Sequence, residues 1–185
     1  MKRLQLFEFE DFPWFPSIIR DSATDYLRFL IEKLSFYDPA VPHIKKILDK
    51  TGLTSILDLC SGGGGGMVDV YTQLNTNEQN KISFTLSDKY PNIPAFTDVN
   101  RVTNGGINFI STSVDALDVP AELTGLRTMF SAFHHFKPEQ AKQILRSAVD
   151  ANMPVAFFDG AGNKIITALA IAFGHPFIFF FATPF

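Results

Sequence analysis

The sequence predicts an α/β domain with a doubly wound, mostly parallel sheet, helices on both faces and a helical N-terminal cap. Three observations carry that prediction. Short apolar runs suited to buried strands alternate with stretches of helical periodicity. Separate runs close on a polar residue, at Asp58, at Asp88, just before Asp115 and near His134. The first of them, Ile56-Leu57-Asp58-Leu59-Cys60-Ser61, leads into five consecutive glycines, Gly62 to Gly66. Ligands of parallel sheets bind beyond the C-terminal strand ends, so polar residues collected at those ends describe one site.

The elements follow in order. The opening, Phe7 to Pro16, is aromatic and acidic with Pro13 and Pro16, and reads as an irregular or extended arm lying on the body. Asp21 or Ser22 can cap a helix running to about Leu34, with Tyr26, Phe29, Leu30 and Lys33 at helical spacing. A second helix fits Pro42 to Lys50, with Gly52 as its stop. Ser55 to Leu59 is a buried strand, and a helix over Met67 to Leu74 follows the glycines. Lys81 to Ser87 alternates as a strand and stops at Asp88. Ile107 to Thr112 is the next strand, and Leu126 to Ala132 the one after. Pro138 to Asn152 is amphipathic, with Ala141, Ile144, Leu145 and Ala148 on one face. Pro154 to Phe158 is the last strand, closed by Asp159-Gly160. The organisation is then an arm and helical cap over residues 1–50, a ligand-binding core over 51–160, and an apolar segment over 161–185.

Composition narrows the classes. A chain of 185 residues with 46% hydrophobic content is one globular domain with a real core. A net charge of −3 and no long basic block argue against a nucleic-acid surface. The single cysteine, Cys60, excludes an internal disulfide and a cysteine-rich zinc site, and points to a reducing, cytoplasmic compartment. The N-terminus carries acids where a signal peptide needs an apolar core, so export is not expected. Many of the 20 phenylalanines fall near the C-terminus, and Ile165 to Phe185 contains no Lys, Arg, Asp or Glu. That tail approaches the length of a bilayer span, but Gly174-His175-Pro176 interrupts it. A helix over Lys164 to Phe173 is expected. The following run, Phe177 to Phe181, needs cover from a partner chain such as a second copy, from a membrane surface, or from further residues.

Only a site that brings a ligand close to the main chain needs such a glycine run. A strand, a Gly-rich turn and a helix present free N–H groups at the helix start. Asp58 beside them favours a ligand with positive charge or hydroxyls over a bare phosphate. No register satisfies the dinucleotide pattern G-x-G-x-x-G, since Met67 or Val68 falls at the third glycine, so a nicotinamide-dependent oxidoreductase is disfavoured. The P-loop pattern fails as well, at Gly66-Met67-Val68. Cys60 reads as a packed small residue rather than a nucleophile. Asp88 is either a ligand contact or a strand-end turn residue, and Asp115, with Asp118 nearby, either a ligand contact or a helix cap. Adjacent His134 and His135 diverge on any regular backbone, and His43 and His175 have no ligand spacing to them, so no metal site is expected. One of the pair can serve as a base toward an acceptor hydroxyl, or both can be turn residues.

Asp58-Leu59-Cys60-Ser61-Gly62-Gly63-Gly64 resembles the first motif of class I S-adenosylmethionine-dependent methyltransferases. The resemblance extends over about residues 50–160. Phe130-Ser131-Ala132-Phe133-His134-His135-Phe136 is similar to the "LHH" segment of ubiquinone-biosynthesis-type and related small-molecule methyltransferases. The resemblance implies a Rossmann-like fold and S-adenosylmethionine as cofactor. It implies that Asp58, Cys60, Ser61, Gly62, Gly63 and Gly64 hold the methionine end, Asp88 the ribose, and Asp115 with Ala116 the adenine. Ser131 joins that set from the fourth strand's end. The acceptor is then a small molecule lying between the N-terminal cap and the His134 segment. Cys60 stands where the family often has glycine, and Arg127-Thr128 where it often has an acid. The family's sheet normally continues into an antiparallel pair that this chain lacks, so the chain reads as shortened. Two functions stay open on these residues: methyl transfer to a small molecule, and a non-catalytic methyltransferase-like module acting through a partner or a membrane surface.

Overall fold

The computed structural model describes residues 12–76 and 81–159. The arm positions Phe7 and Phe9, the segment 161–185 with its expected helix at Lys164 to Phe173, and the question of further strands lie outside the described residues. Strands β1 (Ser55–Leu59), β2 (Ser83–Ser87), β3 (Ile107–Phe109), β4 (Leu126–Phe130) and β5 (Val155–Phe158) form one sheet. Their order is β3-β2-β1-β4-β5 and every pairing is parallel. Helices α1 (Ser17–Lys33), α2 (Val41–Thr51), α3 (Met67–Leu74), α4 (Ile93–Val102) and α5 (Pro138–Asp150) complete the domain. The expected α/β, Rossmann-like, doubly wound sheet is the observed one.

Strand alternation divides the core in two. Ile56, Phe84, Leu86, Leu126 and Phe130 face α2, α3 and α4, packing on Ile44, Leu48, Val70, Phe96 and Val99. Leu57, Leu59 and Met129 face the other way, onto Ile144 of α5 and onto Val114 and Val119. Strand order reverses beside β1, with β2 on one side and β4 on the other. A crevice opens beyond the strand ends at such a switch point, and Asp58 stands there, in register with Leu86 and Thr128.

Local chemistry explains the boundaries. β1 and α3 begin and end where the apolar run and the helical periodicity place them. Gly52 closes α2 in the left-handed region at φ 70°, its N–H donating to Leu48 O at 2.8 Å. α1 begins at Ser17, ahead of the expected Asp21, because the Pro16 carbonyl already accepts from the Ile19 and Arg20 N–H groups. β3 ends at Phe109 rather than Thr112, since the chain turns to let Val114 N–H donate to Asp88 O at 2.9 Å. β4 ends at Phe130 rather than Ala132, because Ser131 takes φ 50° and a 3-10 turn over Phe133–His135 follows. α4 was not among the expected helices. It is built on a side-chain cap, Asn92 Oδ1 accepting from Ala95 N–H at 3.2 Å, with proline in its first turn.

Candidate functional site

The site grows from the end of β1. Asp58 is 2% exposed, and its carboxylate accepts from Thr128 Oγ1 and from Ser61 Oγ, each at 2.7 Å. Burial pushes its carboxyl up to about 7, against the pull of those two hydrogen bonds, and the nearby Asp88 adds to the rise. Ser87 Oγ donates to Asp58 O at 2.8 Å, and Ser61 N–H to Ser87 O at 3.0 Å, so the ends of β1 and β2 are laced together. Cys60, between them, holds φ 58°, the conformation that glycine adopts most cheaply.

Asp88 ties the glycine turn to β2. One of its oxygens accepts from Gly62 N–H at 2.9 Å and the other from Tyr90 N–H at 2.8 Å. Burial drives its pKa up, opposed by those N–H donors and by the charge of Arg20. Arg20, from α1, lies over the Tyr90 ring at 4.0 Å from its centroid. Beyond β3, Asp115 accepts from Lys89 Nζ at 2.7 Å and from Leu117 N–H at 3.0 Å. Burial would raise Asp115, but those bonds outweigh it and hold its carboxyl below the usual range.

The glycines serve the chain itself. A Cβ at Gly63 would sit 2.9 Å from the Thr24 carbonyl oxygen, and one at Gly65 would sit 2.9 Å from Arg28 Cα. Helix α1 therefore lies directly on the turn, and a side chain at either position would push it away. The expectation that a ligand alone requires this bareness is corrected: an intramolecular contact requires it too.

The result is a cavity of about 660 Å³ at the strand ends. Of the residues singled out in the sequence, it brings together Asp58, Cys60, Ser61, Gly62, Gly63, Asp88, Asp115, Ala116 and Ser131. Gly64 is not on its wall. A Cβ there would meet Val99 and Leu86 side chains of the core instead. His135 is on the wall, whereas His134 pairs through Nδ1 with Asp159 at 3.0 Å. Asp25 accepts from Asn92 Nδ2 at 3.1 Å, linking α1 to the α4 cap. The apolar side of the cavity is Phe12, Leu27, Ile31, Tyr37, Phe130 and Phe136. Tyr37 hydrogen-bonds Ser131 Oγ at 2.9 Å, and burial raises its hydroxyl to about 12, so it stays neutral.

Sequence reasoning missed Arg20, Thr24, Tyr37 and Tyr90 as wall residues. Tyr90 stands two residues past Asp88 and could have been found by that proximity. The other three come from the N-terminal cap, which no local pattern joins to the glycine turn. Among the described residues there is no group of three or more His, Cys, Asp or Glu arranged to hold a metal ion. None of the described helices is long and apolar enough to cross a membrane.

No family model and no curated protein matches the sequence. Solved structures do match the fold. An O-methyltransferase family protein from Burkholderia thailandensis is similar at a TM-score of 0.50 and 16% identity, over 70% of this chain and 38% of that one. PigF, in a structure with SAH, is similar at a TM-score of 0.50 and 24% identity, over 78% of this chain and 42% of that one. The chain thus spans about two-fifths of the length of these proteins. At this identity the likeness establishes the fold alone: a parallel, Rossmann-like α/β sheet, five-stranded among the described residues.

Proposed function

We propose that the chain binds S-adenosylmethionine in the cavity at the strand ends and directs its methyl group to a small-molecule acceptor. The observation that carries this reading is the convergence of Asp58, Ser61, Asp88, Asp115 and Ser131, from four separate stretches of sequence, on the lining of one cavity. Methyltransferase relatives at the level of fold add support.

The residues present fit an adenosyl ligand. Its hydroxyl and amino donors need acceptors, and Asp88 and Asp115 offer carboxylates at successive strand ends. Each Asp88 oxygen accepts one backbone N–H and keeps capacity for a hydroxyl. A cationic amino group brought to Asp58 favours its charged form, which burial otherwise disfavours. The volume lies within the range of small-molecule sites. Bound there, the cofactor supplies an activated methyl group on a sulfonium. The chain supplies position and desolvation. Ser61 and Gly62 hold the methionine end, Asp88 the ribose and Asp115 with Ala116 the adenine. Phe12, Leu27, Ile31 and Phe136 make the acceptor side apolar, and His135 offers it a titratable ring.

Calorimetric titration with S-adenosylmethionine and S-adenosylhomocysteine, with NAD as control, tests the reading. Both adenosyl ligands should bind and NAD should not. Asp88→Ala should weaken adenosyl binding roughly 10- to 100-fold, as expected for hydrogen bonds to a charged group; unchanged affinity sinks the assignment. Once an acceptor turns over, His135→Gln should lower kcat by about 10²- to 10⁴-fold while cofactor affinity holds.

A further inference from the structure

A second concavity, of about 680 Å³, lies against α5 and residues 117–121, apart from the strand-end cavity. Its floor contains Arg127. Alternation along β4 sends Leu126 and Phe130 to one core and Met129 to the other, and Arg127 shares the Met129 face. Its Nη1 donates to Ser147 Oγ of α5 at 3.2 Å. The residue is only 2% exposed, and its buried Nε–H has no hydrogen-bond partner among the described residues. No described carboxylate forms an ion pair with it.

A guanidinium carries five donors in a rigid fork and cannot shed its proton. Burying that charge without a partner is costly, and neutralisation is not an escape as it is for a carboxylate. An acceptor with negative charge satisfies both the donors and the charge. A carboxylate or a phosphate matches the fork. Lys142 and Arg146, one helical turn apart on α5, border the same groove, and neither is ion-paired to a described residue. Asp118, Glu139 and Asp150 border it as well. Those three acids limit what can enter. A single oxyanion meets less of that like charge than an extended polyanion does.

We propose that this groove is a small-anion site, in which the Arg127 guanidinium and the Ser147 hydroxyl take one carboxylate or phosphate group, with Lys142 and Arg146 at its mouth. The site is independent of the strand-end cavity and of the function assigned to it.

The test uses the whole chain, titrated with sodium phosphate and separately with sodium acetate, at ionic strength held constant with sodium chloride. Two signals are followed: the nitrogen–proton resonance of Arg127 Nε–H, and the melting temperature, which rises when a ligand binds only the folded state. A saturable shift of that resonance is expected, with a rise in melting temperature beyond the chloride control. Arg127→Met should weaken the anion dependence roughly 10- to 100-fold. Arg127→Lys, which keeps the charge and loses the fork, should retain a weakened response, and Lys45→Met on α2 should retain it in full. A response to phosphate alone identifies a phosphoryl ligand, and a response to acetate alone a carboxylate. A Nε–H resonance unmoved by either anion overturns the proposal, even if Arg127→Met does not fold. So does an equal response of the wild type and a folded Arg127→Met.

Discussion

Asp58 and Arg127 are buried to the same degree, each 2% exposed, and stand on neighbouring strands one register step apart. They resolve burial in opposite ways. Asp58 faces the crevice side of the sheet, and its own chain satisfies it, with Thr128 on β4 and Ser61 on the turn as donors. It can also take up a proton, and burial brings its pKa to about 7. Arg127 faces α5, makes one hydrogen bond to a side chain among the described residues and cannot titrate. A buried acid at a strand end can therefore be completed from within the fold. The buried guanidinium on a strand's flank is completed only in part by the described residues.

The largest test of that contrast is pH dependence. Asp58 titrates near 3.8 in the unfolded chain and near 7 in the fold. Between those values the native state holds a proton that the unfolded chain has lost. Its contribution to stability is thus fully present below 3.8, is lost as pH rises toward about 7, and changes no further above that. The loss is on the order of 4 kcal/mol across the window. Asp88, also raised, adds a slope of the same sign. Asp58→Asn should flatten the curve from urea unfolding at a series of pH values; an unchanged slope would show that Asp58 is not the titrating group.

Thr128→Val sharpens the same point. It keeps the shape and removes the donor to Asp58 Oδ1. The expected cost is about 1–3 kcal/mol, greater at pH 8 than at pH 5, because hydrogen bonds to a charged acceptor are the stronger ones. An equal cost at both pH values breaks the link between the hydroxyl and the acid's charge.

Arg127→Met is the counterpart on the other face. In chloride buffer the variant should lose no stability and gain up to about 1 kcal/mol, since apolar replacement of a poorly paired buried charge is often neutral or favourable. Its slope between pH 4 and 7 should match the wild type. A large destabilisation would mean that the chain already completes the guanidinium. The smallest effect is Cys60→Gly. Relief at φ 58° is partly offset by the greater unfolded-state freedom of glycine, leaving a gain of at most about 1 kcal/mol in thermal unfolding.

Much of this was legible in the sequence where the signal is local. The apolar run of β1 ending in Asp58 and the glycine stop at Gly52 require only neighbouring residues, and both lie where they were expected. The cavity-wall acids Asp88 and Asp115 were found because the ends of parallel strands gather on one edge. α4 was not expected, because its start rests on the pairing of the Asn92 cap with Pro94 rather than on a long apolar periodicity. The glycines were assigned wholly to a ligand, because the contact of Gly63 with Thr24 spans too much sequence for any periodicity to report. Arg127 was visible only as a departure from an expected acid. Its meaning depends on which face of β4 it takes and on what α5 offers it.

Helix α1 has no fully buried residue. It is held to the glycine turn by close backbone packing, by Arg28 paired with Asp98 at 3.0 Å and by partly buried Ile31. An element attached that way opens at a free energy well below that of the whole domain. In hydrogen exchange the amides of α1 should therefore be lost first, while those of β1 and β4 persist. Arg20, Asp21, Thr24, Leu27, Arg28 and Ile31 of this helix line the cavity, so a ligand held there would bear on α1 before it bore on the sheet. Occupancy would register as slowed exchange along Arg20 to Arg28 before it registered anywhere in the core.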